Sequence, residues 1–130
     1  MNTEYEIWTL MYMGFISNAM FMVAMVLLSW LGFRFAAAIA ADPETPVMGK
    51  VTATIFYLLV GIMFYNTAQI GGAIIGGAAE SLSALPEISS RGADLIERVE
   101  SGFVPGGLIS TALNLVIVFF QLAMTWIKRA

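Results

Sequence analysis

The stretch IWTLMYMGFISNAMFMVAMVLLSWLGFRFAAAIAA, residues 7–41, decides the fold, because Arg34 is the single charge in it. An apolar run this long exceeds the roughly 20 residues that cross a bilayer as helix. Trp8 and Trp30 lie 22 residues apart, about 33 Å of helix at 1.5 Å per residue. That matches a hydrocarbon core of roughly 30 Å, and tryptophan favours the headgroup level. Trp8 and Trp30 therefore read as the interface anchors of a first span, about 8–30. Phe33 to Ala41 continues as helix, Arg34 snorkels to the headgroups, and Asp42-Pro43 ends it.

Outward from this segment the pattern repeats twice. A short polar loop with Pro43, Pro46 and Gly49 leads to a second span, about 52–79. It opens with Ile55, Phe56 and Tyr57 and ends on Gly71, Gly72, Gly76 and Gly77. A third span, about 108–127, closes with Trp126 and then Lys128 and Arg129 as cytoplasmic anchors. Between them, residues 80–106 form the one substantial polar segment, with Glu80, Glu87, Asp94, Glu97 and Glu100 against Arg91 and Arg98. Ile88, Leu95, Val99 and Phe103 recur at helical spacing, which predicts a short amphipathic helix on the membrane surface or against a partner. Pro86 is expected in its first turn, and Pro105-Gly106-Gly107 should break it. The expected fold class is all-α: three transmembrane helices plus this amphipathic helix, in one membrane domain of 1–130.

Composition agrees. The 130 residues are 59% hydrophobic and 12% charged, with a mean hydropathy of +0.84. Soluble domains carry roughly 25% charged residues. The absence of cysteine and histidine removes thiolate, imidazole and haem-histidine ligation and the commonest general base. No nucleophile–base pair or phosphate loop stands out, so no enzyme, cofactor or metal site is expected. A net charge of −3 argues against nucleic-acid partners. The acidic start Asn2-Thr3-Glu4-Tyr5-Glu6 does not read as a secretory signal.

Lysine and arginine set the expected orientation. Arg34, Lys50, Lys128 and Arg129 fall on one side and Arg91 and Arg98 on the other. The N-terminus is expected outside and the C-terminus in the cytoplasm, in a bacterial inner membrane.

Two groups of residues are candidates for function. Ala68, Gly72 and Gly76, with the parallel row Gln69, Ala73 and Gly77, form a ridge where two helix backbones can approach, either within the chain or from another subunit. The polar residues Asn18, Asn66, Gln69, Asn114 and Gln121 fall inside the spans, beside Ser17, Thr67, Ser110 and Thr111. They are expected to form interhelical hydrogen bonds, or else to line a hydrated path. No Asp, Glu, Lys or Arg lies in the middle of a span, which argues against proton relays and ion-coupled transport.

Met11, Met13, Met20, Met22 and Met25 cluster in the first span. With three spans, an outside N-terminus and a GxxxG, this resembles the copper-uptake transporters of the Ctr type. The resemblance implies thioether ligation of Cu(I). The chain departs from that pattern where it matters: the second span has Met63 alone rather than an MxxxM pair, and the N-tail lacks methionines beyond Met1. Flexible apolar packing is the expected role of these methionines.

What remains is a small accessory or structural subunit of a larger membrane complex (respiratory, photosynthetic or monooxygenase), with other integral membrane subunits and lipids as partners. The alternative is a homo-oligomeric channel, transporter or holin-like pore, which requires Asn66, Gln69 and Asn114 to converge on one lumen.

Overall fold

A computed structural model describes residues 3–127. The described chain is four helices: α1 (Thr3–Ala41), α2 (Val47–Ser83), α3 (Ser90–Glu100) and α4 (Leu108–Trp126). Three of them, α1, α2 and α4, are long and apolar enough to cross a membrane. The protein is an all-α integral membrane protein. Lys128 and Arg129 lie outside the described residues.

Helix α2 is longer than the sequence suggests. It starts at Val47 rather than near residue 52 and ends at Ser83 rather than near 79. Pro46 explains the early start. It occupies the N-cap with φ −61° and ψ 148°, a position where its fixed φ fits and its missing N–H is not needed. The Asp42 carboxylate accepts from the Glu44 N–H at 3.0 Å and tightens the α1–α2 turn.

Pro86 does not open α3. Ser89 is the N-cap, its hydroxyl accepting from the Gly92 N–H at 3.2 Å, and Pro86 stays in the preceding turn because the cap is set by Ser89. Phe103 lies past the helix end and is exposed. The return to α4 needs left-handed backbone at Gly102 (φ 80°) and Gly106 (φ 81°), which glycine adopts without strain.

The helices pack in two layers. Helices α1 and α2 form a long antiparallel hairpin, and α4 lies against both. Beyond the start of α4, α3 takes over and covers α2. Met11, Ile75, Ala78, Leu82 and Leu95 make the core of that layer. Ala36, Ala53 and Tyr57 make a second cluster at the opposite end.

The buried faces have a period that hydropathy does not mark. On α1 they fall at Met11, Asn18, Met25 and Gly32, every seven residues, with Ser29 and Ala36 offset by four. On α2, Ala53, Tyr57, Val60, Phe64, Thr67 and Gly71 follow alternating steps of four and three. This is the spacing of a left-handed supercoil. Its residues are small or polar as often as large, because lipid already solvates the apolar ones.

Candidate intramembrane polar sites

The five amides in the spans have one of two fates. The first group ties α4 to the hairpin. Gln121 is 2% exposed and donates from Nε2 to the Ser29 carbonyl of α1 at 2.9 Å. Asn114 donates from Nδ2 to the Gly61 carbonyl of α2 at 2.9 Å. Tyr57 and Thr125 share a hydroxyl–hydroxyl bond of 2.8 Å. Gly32 and Gly61 admit these contacts: a Cβ on Gly32 would come within 2.6 Å of Gln121 Nε2, and one on Gly61 within 2.8 Å of Val118 Cγ2. The sequence reading missed Ser29, Gly32, Gly61, Tyr57 and Thr125 as members of these contacts. The seven-residue step from Asn114 to Gln121, matched by that from Met25 to Gly32, is the signal that could have exposed them.

Gln69 belongs to the same group but serves the loop. Its Nε2 donates to the Gly106 carbonyl at 2.6 Å. The chain around Pro105 therefore folds onto α2, and this splits the proposed glycine ridge. Ala68 is buried, and a Cβ on Gly72 would collide with the Pro105 carbonyl oxygen. A Cβ on Gly76 or Gly77 would meet nothing within 4 Å, and Ala73 is exposed. The ridge is thus two surfaces: one closed by the chain's own loop, the other open.

The second group has no hydrogen-bond partner among the described residues. Asn18 is buried to 9% exposure, and Asn66 is exposed; neither side chain makes a hydrogen bond among the described residues. Both line a groove of 440 Å³ between α1 and α2, with Ser17, Thr67, Met25 and Met63. Asn66, Gln69 and Asn114 do not converge within the chain: one faces this groove, one the Pro105 loop, one the α2–α4 contact.

At the helix ends, each tryptophan carries a cation. Arg34 lies 5.5 Å from the Trp30 ring centre and Lys50 5.7 Å from that of Trp126. The Trp126 indole N–H also donates to Thr54 Oγ1 at 2.7 Å. At the opposite end Arg91 of α3 stacks on Trp8 at 4.5 Å and donates to the Tyr12 hydroxyl. Glu4, ahead of the apolar run, clamps the start of α3, accepting from the Ser89 hydroxyl at 2.5 Å and the Ser89 N–H at 3.2 Å. The Ser89 hydroxyl bond holds its carboxyl below the ordinary value, against a smaller opposing effect of desolvation.

Among the described residues no three Asp or Glu side chains cluster as a metal site. No protein-family model, curated protein or solved structure matches the chain.

Proposed function

We propose that this protein is a non-catalytic accessory subunit of a larger membrane complex, which it stabilises through helix–helix and lipid contacts. The observation that carries the reading is the use of its intramembrane amides. Asn114, Gln121 and Gln69 are all spent on backbone carbonyls of the same chain, so they close a bundle rather than line a path. Outside the Asn66 groove the spanning surface is predominantly apolar and open, with Ile16, Ile62, Leu115 and Phe119 exposed. A homo-oligomeric channel, transporter or holin-like pore needs Asn66, Gln69 and Asn114 on one lumen, and this geometry does not favour it.

The orientation we propose puts the N-terminus outside and the C-terminus in the cytoplasm of a bacterial inner membrane. Arg34 and Lys50 support it, sitting beside Trp30 and Trp126 at one end of the bundle, as basic residues do on the cytoplasmic side.

Gentle extraction from native membranes into nanodiscs, followed by native mass spectrometry, tests the function. Unlike subunits at a fixed ratio are the expected result. Particles containing only copies of this chain would overturn the accessory reading and revive the pore.

A further inference from the structure

We infer that the α1–α2 trough holding Asn18 and Asn66 is the seat of a transmembrane helix from an unlike subunit, one that presents a hydrogen-bonding side chain to these two amides. This deepens the accessory reading and rests on it.

Shape is the first reason. The 440 Å³ groove adjoins a second of 400 Å³, the two sharing Gly14 and Ile74. Together they run from Ile7 to Met25 on α1 and from Ser81 to Met63 on α2. Eighteen residues of helix span about 27 Å, close to the roughly 30 Å hydrocarbon core. A trough of that length fits the side of a helix better than a compact ligand.

Its walls repeat as helix seams do. On α2 they are Met63, Asn66, Ile70, Ala73 and Gly77; on α1, Leu10, Gly14, Ser17 and Phe21. Both rows advance by alternating threes and fours, the spacing that accepts a supercoiled neighbour. Ala73 and Gly77 are exposed and keep one end shallow enough for close backbone approach.

The amides choose the occupant. Asn18 lies six residues below Tyr12, whose hydroxyl meets Arg91, so it is about 9 Å beneath the level of the α3 charges. A Cβ on Gly71 would sit 2.9 Å from Asn18 Nδ2. That register puts Asn66, five residues along α2, about 7 Å deeper still. Unpaired carboxamides in hydrocarbon are costly. Acyl chains offer no donor or acceptor at that depth, whereas an Asn, Gln, Ser or Thr of a neighbouring helix offers both. Within this chain Asn114 and Gln121 are spent and the outward side of α1 is apolar at Met13, Ile16, Met20 and Val23; that the helix belongs to an unlike subunit follows from the accessory reading.

The test is photocrosslinking in native membranes, with benzoylphenylalanine replacing Phe21, which lines the trough and is 64% exposed, or Phe119, a control on α4 that is 63% exposed. From position 21 we expect an adduct with an unlike subunit, mapped by peptide mass spectrometry to a transmembrane segment within one helical turn of an Asn, Gln, Ser or Thr. Asn66→Leu should lower its yield about fivefold, the effect of one interhelical hydrogen bond in lipid, and Asn66→Gln should restore it. Detergent melting of the Asn66→Leu protein alone, expected unchanged, separates loss of docking from loss of fold. Lipid adducts alone, an adduct with a second copy, or a yield indifferent to Asn66→Leu would each overturn the inference. If unlike subunits still co-purify in those cases, the accessory reading survives without it. If none co-purify, both fall.

Discussion

Gln121 shows what a single residue does in this fold. In water its amide would find solvent; in lipid it must find Ser29. Replacing it by leucine of similar volume leaves the Ser29 carbonyl without that donor. We expect Gln121→Leu to destabilise the isolated protein by about 1 kcal/mol, read as a lower melting temperature in detergent. The glycines differ just as sharply. Gly72→Ala drives a methyl group into the Pro105 backbone and should destabilise by about 1–3 kcal/mol, the range for overpacking. Gly76→Ala enters open space and should be neutral or stabilising by up to about 1 kcal/mol, because alanine is the better helix former. Equal melting temperatures for the two variants would refute the division of the ridge. Sequence alone could not make this distinction, since both glycines belong to one GxxxG and the loop that covers Gly72 comes from 33 residues downstream.

Among the elements, α3 depends most on local polar contacts. Its amphipathic pattern was legible in the sequence, with Leu95 inward and Glu97 and Glu100 outward. Its attachment was not, because Glu4 and Ser89 are 85 positions apart. Ser89 both caps α3 and donates to Glu4. Ser89→Ala should cost about 1 kcal/mol, seen as faster hydrogen exchange confined to α3 and the start of α1. The pH response has a defined sign. Because the folded-state pKa of Glu4 is lowered, its contribution is present above the ordinary carboxylate range and is lost as pH falls through the folded value. Protection of α3 from hydrogen exchange, referred to the intrinsic rate at each pH, should therefore fall on acidification, and in Glu4→Gln this acid response should be diminished. Helix α4 behaves differently. Two of its fastenings, Asn114 to α2 and Gln121 to α1, lie two turns apart and share no partner.

For the whole molecule, that independence has a consequence. Asn114→Leu and Gln121→Leu should add in the double variant to within about 0.5 kcal/mol, giving a loss near 2 kcal/mol. Protease should then cut the loop at Gly102 and Gly106 faster, while the α1–α2 hairpin persists. A strongly non-additive pair would mean that α4 is held as one cooperative network. The same view explains why the outer surface carries more large apolar side chains than the core. Burial of apolar area drives folding in water, but lipid removes that drive between helices. The interior then selects small residues and amides, and the exterior keeps Met20, Phe21 and Ile62.

The sequence by itself determined that the protein is three membrane-spanning helices with one amphipathic helix, because bilayer thickness fixes the length of an apolar run and charges cannot lie within it. It also placed Trp8, Trp30, Trp126 and Arg34 near the ends of the spans, whereas the pairing of Lys50 with Trp126 and of Arg91 with Trp8 came from the structure. Only the tertiary structure decided which polar residues are spent and which are free. Asn66 and Asn114 are the same side chain in the same kind of helix. Asn114 meets Gly61, and Asn66 faces a trough that nothing in this chain fills. That difference depends on helix rotation and register, which in lipid are set by close backbone approach and not by hydrophobic periodicity.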